Sequence, residues 1–274
     1  MPYFILIYIF LFGLAIGSFL NCLIWRLHKK EKLWNRSYCP KCKKQITWYD
    51  NIPILSFIFL RGKCRHCKKA ISWQYPLVEI VTAMLFVVSV ICKPEYLGLV
   101  IWNNYEYIWG IKSLFAHYQL LITILRDWFI IAVMVIIFVY DLRWYLILDK
   151  VTIPACVVIF ILNIILGFSW QNLLVSGIIG AGFFLLQFVI SKGRWIGGGD
   201  IRLGLLMGFT LGYPVILLAM ILAYFIGSII SIGLVASGKK SWDSQVPFGV
   251  FLTVSTIATL FFGQEIMSWY LRLF

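Results

Sequence analysis

The stretch WFIIAVMVIIFVYD, residues 128–141, decides how this chain is read. An unbroken apolar and aromatic run ends on a carboxylate. A second carboxylate, Asp200, closes the run Gly197-Gly198-Gly199-Asp200 at the edge of another apolar segment. A charge at such a depth costs ~2.5–3.5 kcal/mol at a membrane-helix centre on insertion scales, and less near the interface. Two carboxylates on one face of a membrane point to a shared task. Two facing carboxyls that hold one proton between them are the machinery of aspartic proteolysis.

Composition supports a membrane setting, with 62% hydrophobic and only 13% charged residues. Several apolar runs approach the ~20 residues that span a bilayer. Helices are expected at about 3–25, 77–92, 118–140, 151–168, 173–191, 201–213, 215–236 and 247–264. The fold class is therefore an all-α polytopic membrane protein of about eight transmembrane helices, with a small cytoplasmic zinc-ribbon-like loop domain. Three parts are expected: a first transmembrane helix (1–25), a four-cysteine domain (26–76) and a transmembrane catalytic domain (77–274). The short 201–213 helix is expected to pair with 215–236 through the Tyr213-Pro214 break. The first segment has no Lys or Arg before its apolar stretch and reads as a retained anchor rather than a cleaved signal.

Basic residues set the orientation. The segment 26–69 holds 13 of the 24 Lys and Arg. Placing it in the cytoplasm puts the N-terminus outside, and brings Arg143, Lys150, Lys192, Arg194, Arg202, Lys239 and Lys240 inside as well. Only Lys93, Lys112, Arg126 and Arg272 fall outside. The same topology carries Asp141 and Asp200 to the cytoplasmic face, although the count never used them. The +13 net charge is then an orientation signal plus attraction to membrane lipid, and nucleic acid is not needed as a partner. The segment 94–112, with its Trp and Tyr, is expected outside as an interfacial belt or an extra short helix.

The cytoplasmic loop carries Cys39-Pro-Lys-Cys42 and, after 21 intervening residues, Cys64-Arg-His-Cys67. Two CxxC knuckles at this separation signal a structural zinc site, because each two-residue gap lets both thiolates of a turn face one ion. Reduced cytosolic thiols make disulfides the weaker reading. A loop so short and basic lacks the means to build a core unaided, and a metal would tie it down. His66 reads as a bystander. Cys22, Cys92 and Cys156 read as small buried hydrophobes.

The glycines before Asp200 allow unusual φ and close approach at a helix entry. Gly204, Gly208 and Gly212 recur every four positions and form a face for tight helix packing. The plain alternative for this run is a glycine hinge with a capping aspartate. Asp141 ends its helix where the dipole opposes a carboxylate, so local preference does not explain it. Asp149 reads as a cap of the following helix, Asp243 as a loop residue, and Arg126 with Asp127 as markers of the outer interface.

The ordered set GSFLNCLIWRL (17–27), the paired CxxC motifs, NIP (51–53), RGKC (61–64), YPLVE (75–79), DLRWYLILD (141–149) and GGGDIRL (197–203) resembles the bacterial prepilin peptidases, the type IV leader peptidases. The resemblance covers most of the chain. It implies a GxGD membrane aspartic endopeptidase that removes a short basic leader from type IV prepilins or pseudopilins, cutting after glycine at the cytoplasmic face of the inner membrane. It also implies N-methylation of the new N-terminus with S-adenosylmethionine as methyl donor, an activity associated with the N-terminal cytoplasmic domain. The family's catalytic aspartates match Asp141 and Asp200, and its zinc ligands match Cys39, Cys42, Cys64 and Cys67. The chain departs from the pattern at Leu148, where proline is usual, and at Arg202, where lysine is usual. Arg keeps the charge but does not supply a deprotonated amine.

Three other readings remain at this stage. Paired carboxylates also serve proton-coupled transporters, which show internal repeats and midplane sites. A non-enzymatic pilin-assembly factor would tolerate loss of either aspartate. A peptidase without methylation is the third, since no glycine loop for S-adenosylmethionine stands out. Glu79 is open to that role or to snorkelling at the interface.

Overall fold

Helices occupy every segment that the apolar runs mark. In the computed structural model, which describes residues 2–32, 36–93, 111–241 and 244–272, these are α1 (Pro2–Lys29), a short α2 (Leu55–Phe59), α3 (Gln74–Ile91), α4 (Ile111–Trp144), α5 (Asp149–Ile165), α6 (Trp170–Ser191), α7 (Gly198–Leu211), α8 (Val215–Ala236) and α9 (Phe248–Leu271). Among the described residues there is no strand beyond two isolated bridges. Among the described residues six helices are long and apolar enough to cross a membrane: α1, α3, α4, α6, α8 and α9. The other two of the expected eight, α5 and α7, have 17 and 14 residues. Several helices run past their apolar cores. α1 continues into Arg26 and Lys29, whose charges suit the negative end of a helix. The segment 94–110 and Asp243 lie outside the described residues.

The chain divides into two compact units, Met1–Ser113 and Leu114–Phe274. In the first, α1 packs along α3, and residues 30–73 form the loop between them. In the second, Ile130, Met134 and Ile137 of α4 meet Ile159, Phe184, Leu203, Met207, Ile216 and Leu252 from α5 to α9 in one buried cluster. Lipid tails are as apolar as these side chains, so close packing rather than transfer from water holds such helices together.

Small residues decide who packs against whom. α7 lies chiefly on α6, not on α8 as its place in the chain suggests. Gly177 and Gly180 of α6 face Gly204 and Gly208 of α7, and a Cβ on Gly208 would stand 2.5 Å from the Ser176 carbonyl oxygen. The third glycine of the expected stripe, Gly212, instead ends the helix at φ 70°. The turn into α8 contains a cis Tyr213-Pro214 peptide. It is held by Asn172, which donates to the Tyr213 carbonyl (3.0 Å) and accepts its N–H (2.9 Å). α8 then pairs with α9.

Arg126 and Asp127 are not interface markers. They are 5% and 0% exposed. Arg126 grips the Asp127 Oδ1 through Nε (3.0 Å) and Nη2 (2.7 Å) and donates through Nη1 to Asn163 of α5 (2.9 Å). Asn163 donates in turn to the Phe209 carbonyl of α7 (2.6 Å). Polar groups on three apolar helices thus satisfy one another where no water is available. Of the three isolated cysteines only Cys156 is buried; Cys22 and Cys92 are partly exposed, and none of the seven is joined in a disulfide.

Candidate active site and metal cluster

Asp141 stands in the last turn of α4 and is 5% exposed. The negative end of its own helix disfavours it there, and another helix supplies the compensation. Its Oδ2 accepts the N–H of Val250, the third residue of α9, at 3.2 Å. The carboxylate therefore sits at the positive end of α9, whose free N–H groups favour an anion. This contact joins residues 109 positions apart. It also requires Gly249, because a Cβ there would stand 2.8 Å from Asp141 Oδ2. No motif in the sequence marked Gly249. Its one legible signal was a glycine at the mouth of an apolar segment.

Asp200 is the third residue of α7 and is 7% exposed. Its Oδ2 accepts the Gly197 N–H at 3.0 Å, the half of a capping box that a glycine at the cap position leaves. Asp200 is thus not the N-cap that the alternative reading expected, a place held by Gly197; it bonds back to that residue from the third helical position and still lines a cavity. That cavity, about 1250 Å³, is lined by both Asp141 and Asp200, by the glycine run, and by Trp195, Ser228, Ser231 and Phe248. The turn after α4 reaches between its walls. Ile147 packs where a Cβ on Gly199 would lie 2.8 Å from it, and its Cδ1 would lie 3.0 Å from a Cβ on Gly249. The two carboxyls are near enough for their charges to act on each other.

Asp149 does not cap α5. The cap position is Leu148, at φ −83° and ψ 121°, and no side chain bonds there. Asp149 is the first helical residue and pairs with Arg202 at the cavity rim. Leu148, the departure from proline, holds an extended backbone. Its carbonyl accepts the Val151 and Thr152 N–H groups, each at 3.0 Å, so the turn keeps its form without the ring.

The four cysteines of the loop come together. Their Sγ atoms all lie within 4.8 Å of one another, with Cys39 and Cys67 3.9 Å apart. The knuckles are built twice in the same way. Cys39 N–H donates to the Lys44 carbonyl and Cys64 N–H to that of Lys69, both at 2.9 Å. Lys43 and Lys68 each turn the chain at φ 57°, and the bridges Tyr38 to Gln45 and Lys63 to Ala70 close the turns. Tetrahedral zinc with Zn–S of ~2.3 Å sets its sulfurs ~3.8 Å apart, so the cluster fits the ion. The Cys64 thiol is drawn down to about 7 by the backbone N–H groups of Cys67 and His66. His66 is exposed and outside the cluster. Asp50 braces the second knuckle by a two-toothed pair with Arg65 (2.6 and 2.8 Å), whose guanidinium holds the Asp50 carboxyl below its usual range.

Comparison with known proteins follows the same division. Residues 11–92 match the family described as bacterial peptidase A24 N-terminal domain, and residues 128–232 match the type IV leader peptidase family. The second match contains Asp141 and Asp200 and ends before Gly249. The chain is similar to a prepilin leader peptidase/N-methyltransferase of Aeromonas hydrophila, with 30% identity over 97% of this chain and 93% of the relative. Proteins of the same description from Legionella pneumophila (28%, over 98% and 96%) and Bacillus subtilis strain 168 (29%, over 97% and 97%) are similar over nearly their full length. No solved structure matches the chain.

Proposed function

We infer the chemistry from one premise: the chain belongs to the type IV leader peptidase family. It is an integral protein of the bacterial inner membrane. It acts as an endopeptidase on type IV prepilins or related pseudopilins and methylates the N-terminus it exposes. The observation that carries the peptidase reading is the convergence of two buried carboxyls, far apart in sequence, on one cavity.

The reaction needs one negative charge and one proton on that pair. The ionised carboxyl takes a proton from water as the oxygen attacks the peptide carbonyl. The protonated partner donates to the carbonyl oxygen to give a neutral diol; the C–N bond then breaks as the proton just taken passes to the leaving amine and a diol hydroxyl returns a proton to the partner. Which residue begins protonated belongs to the pair and not to either member. Helix N-termini at both carboxyls steady the shared negative charge. The substrate's apolar segment packs among helices while its leader stays in water. Cleavage falls after glycine, as the family resemblance implies.

Gly249 tests the geometry apart from the chemistry. Gly249→Val is expected to displace the Asp141 carboxyl and lower cleavage ~10²-fold, the loss that follows a misplacement of about 1 Å, in a protein that still inserts and melts cooperatively. Gly249→Ala falls between. A valine variant that cleaves at the wild-type rate overturns the assigned contact.

Cys39, Cys42, Cys64 and Cys67 are the residues that would hold structural zinc, an ion that would order a loop too short for a core. The basic loop and both aspartates are assigned to the cytoplasmic face, with the N-terminus outside, from the Lys and Arg distribution. The loop's charge suits anionic lipid headgroups, and no nucleic-acid role is assigned. Purified protein is expected to carry one zinc per chain and to lose it when Cys39 and Cys64 are both changed to Ser. A membrane-impermeant maleimide is then expected to reach Cys42 of that variant from the cytoplasmic side alone. Metal analysis without zinc sinks the site, and labelling of Cys42, located by mass spectrometry, from the outer side of intact cells sinks the orientation. S-adenosylmethionine, when bound, supplies the methyl group of the second activity.

A further inference from the structure

The peptidase match, residues 128–232, falls wholly within Leu114–Phe274, the unit that holds both aspartates. The other unit contains a separate buried carboxyl. Glu79 of α3 is 6% exposed, so it does not snorkel. It lies at a close approach of α1 and α3: a Cβ on Gly17 would stand 2.6 Å from the Glu79 Cα. Its Oε2 accepts the Ile54 N–H at 2.8 Å. Ile54 has φ 59° and ψ −53°, the centre of a γ-turn closed from Leu55 N–H to the Pro53 carbonyl at 2.5 Å. That turn is strained, above all for a β-branched side chain, and strain of this kind concentrates at functional sites.

Farther along the same seam, Asn21 donates to the Tyr75 carbonyl (3.0 Å), and Gln74 Nε2 donates to Asn21 Oδ1 (3.3 Å). The other end of that amide, Gln74 Oε1, is buried without a hydrogen-bond partner. The donors of this cluster are therefore spent inward, and what remains is acceptor oxygen and a carboxylate. Among the described residues no Lys, Arg or His forms an ion pair with Glu79. A buried carboxylate without a cation, with an orphaned acceptor five residues away on the same helix, fits a cation rich in N–H groups. A primary ammonium, with three donors, is that group.

We propose that Glu79 and Gln74 form the α-ammonium site of the methyl-transfer activity. This rests on the two-activity reading above, which supplies two such groups: the N-terminus of the trimmed protein and the amino group of S-adenosylmethionine. For the trimmed N-terminus, the Glu79 carboxylate takes one ammonium proton and becomes a neutral acid. The freed nitrogen lone pair forms the N–C bond as the methyl C–S bond breaks, and that electron pair stays on sulfur as a thioether.

The test uses the full-length, zinc-loaded protein in detergent with Glu79→Gln, which keeps an acceptor for the Ile54 N–H. Zinc content and leader cleavage report the fold, equilibrium dialysis reports S-adenosylmethionine binding, and mass spectrometry reports methyl addition to a pre-trimmed peptide. Methylation reduced ~10²-fold with donor binding and cleavage retained assigns the site to the acceptor's ammonium. Donor binding weakened ~10-fold or more assigns it to the donor's ammonium. Wild-type methylation and donor binding in the variant overturn the proposal. If Glu79→Gln loses zinc and cleavage, Gln74→Leu decides: reduced methylation or donor binding with cleavage intact supports the site, and unchanged values overturn it. A wild-type protein that cleaves but neither binds the donor nor adds a methyl overturns the methyltransferase reading, and this site with it.

Discussion

Changing Asp141 or Asp200 to Asn, one at a time, is expected to reduce leader cleavage by ~10³-fold or more while the protein remains folded and inserted. The separation of these effects follows from the contacts. Asn keeps a side-chain oxygen, so the bond from Val250 N–H to residue 141 and the capping bond from Gly197 N–H to residue 200 both survive. What disappears is the proton that the pair passes between water, carbonyl and leaving amine. The helix-cap contribution at stake is only about 1 kcal/mol, too little to explain a dead enzyme by unfolding. Cleavage of a prepilin-like substrate in liposomes, with mass spectrometry of the new N-terminus, makes the comparison. Full-rate cleavage by either variant would end the two-carboxyl mechanism.

The largest effect on stability is expected far from that chemistry. Arg126→Met removes the guanidinium that grips Asp127 and reaches Asn163, and leaves a fully buried carboxylate deprived of it. Breaking a buried pair from one side costs about 3–5 kcal/mol. Thermal unfolding in detergent reads the loss, and adding Asp127→Asn in the same chain is expected to restore a large part of it. A single variant that unfolds with the wild type would show that the pair contributes nothing net. Asp127 lies 14 residues before Asp141 on α4, roughly 21 Å along the axis. A doubly substituted protein that melts normally is therefore expected to cleave normally too.

Helix positions and the two aspartates were legible because each is a contrast with its neighbours: apolar against polar, or a carboxylate against an apolar run. The four cysteines were legible by spacing. What escaped depends on which face of a helix meets which partner. Asp149 carried the signature of a cap, yet it pairs with Arg202, a residue 53 positions away. Arg126 and Asp127 looked like interface residues because hydropathy counts charges and does not see that Asn163 and the Phe209 carbonyl await them. The 201–213 helix was assigned to its neighbour in sequence, while the glycines of α6 offered the closer approach. Gly249 and Ile147 carry no chemistry of their own; they matter only as the shape around a carboxylate brought from elsewhere in the chain.

The length of α7 has a consequence for how deep water reaches. Its 14 residues reach roughly 21 Å, against a hydrocarbon layer of ~30 Å, whereas the 22 residues of its neighbour α6 suffice to cross. Apart from Arg202 the residues of α7 are buried or half-buried against its neighbours, so the shortfall is met inside the protein, where the cavity leads water to the helix end that bears Asp200. The local barrier is therefore shallow. A peptide bond at the border of an apolar segment, which elsewhere would have to leave the membrane surface region to be hydrolysed, here finds water and carboxyls already at its own depth.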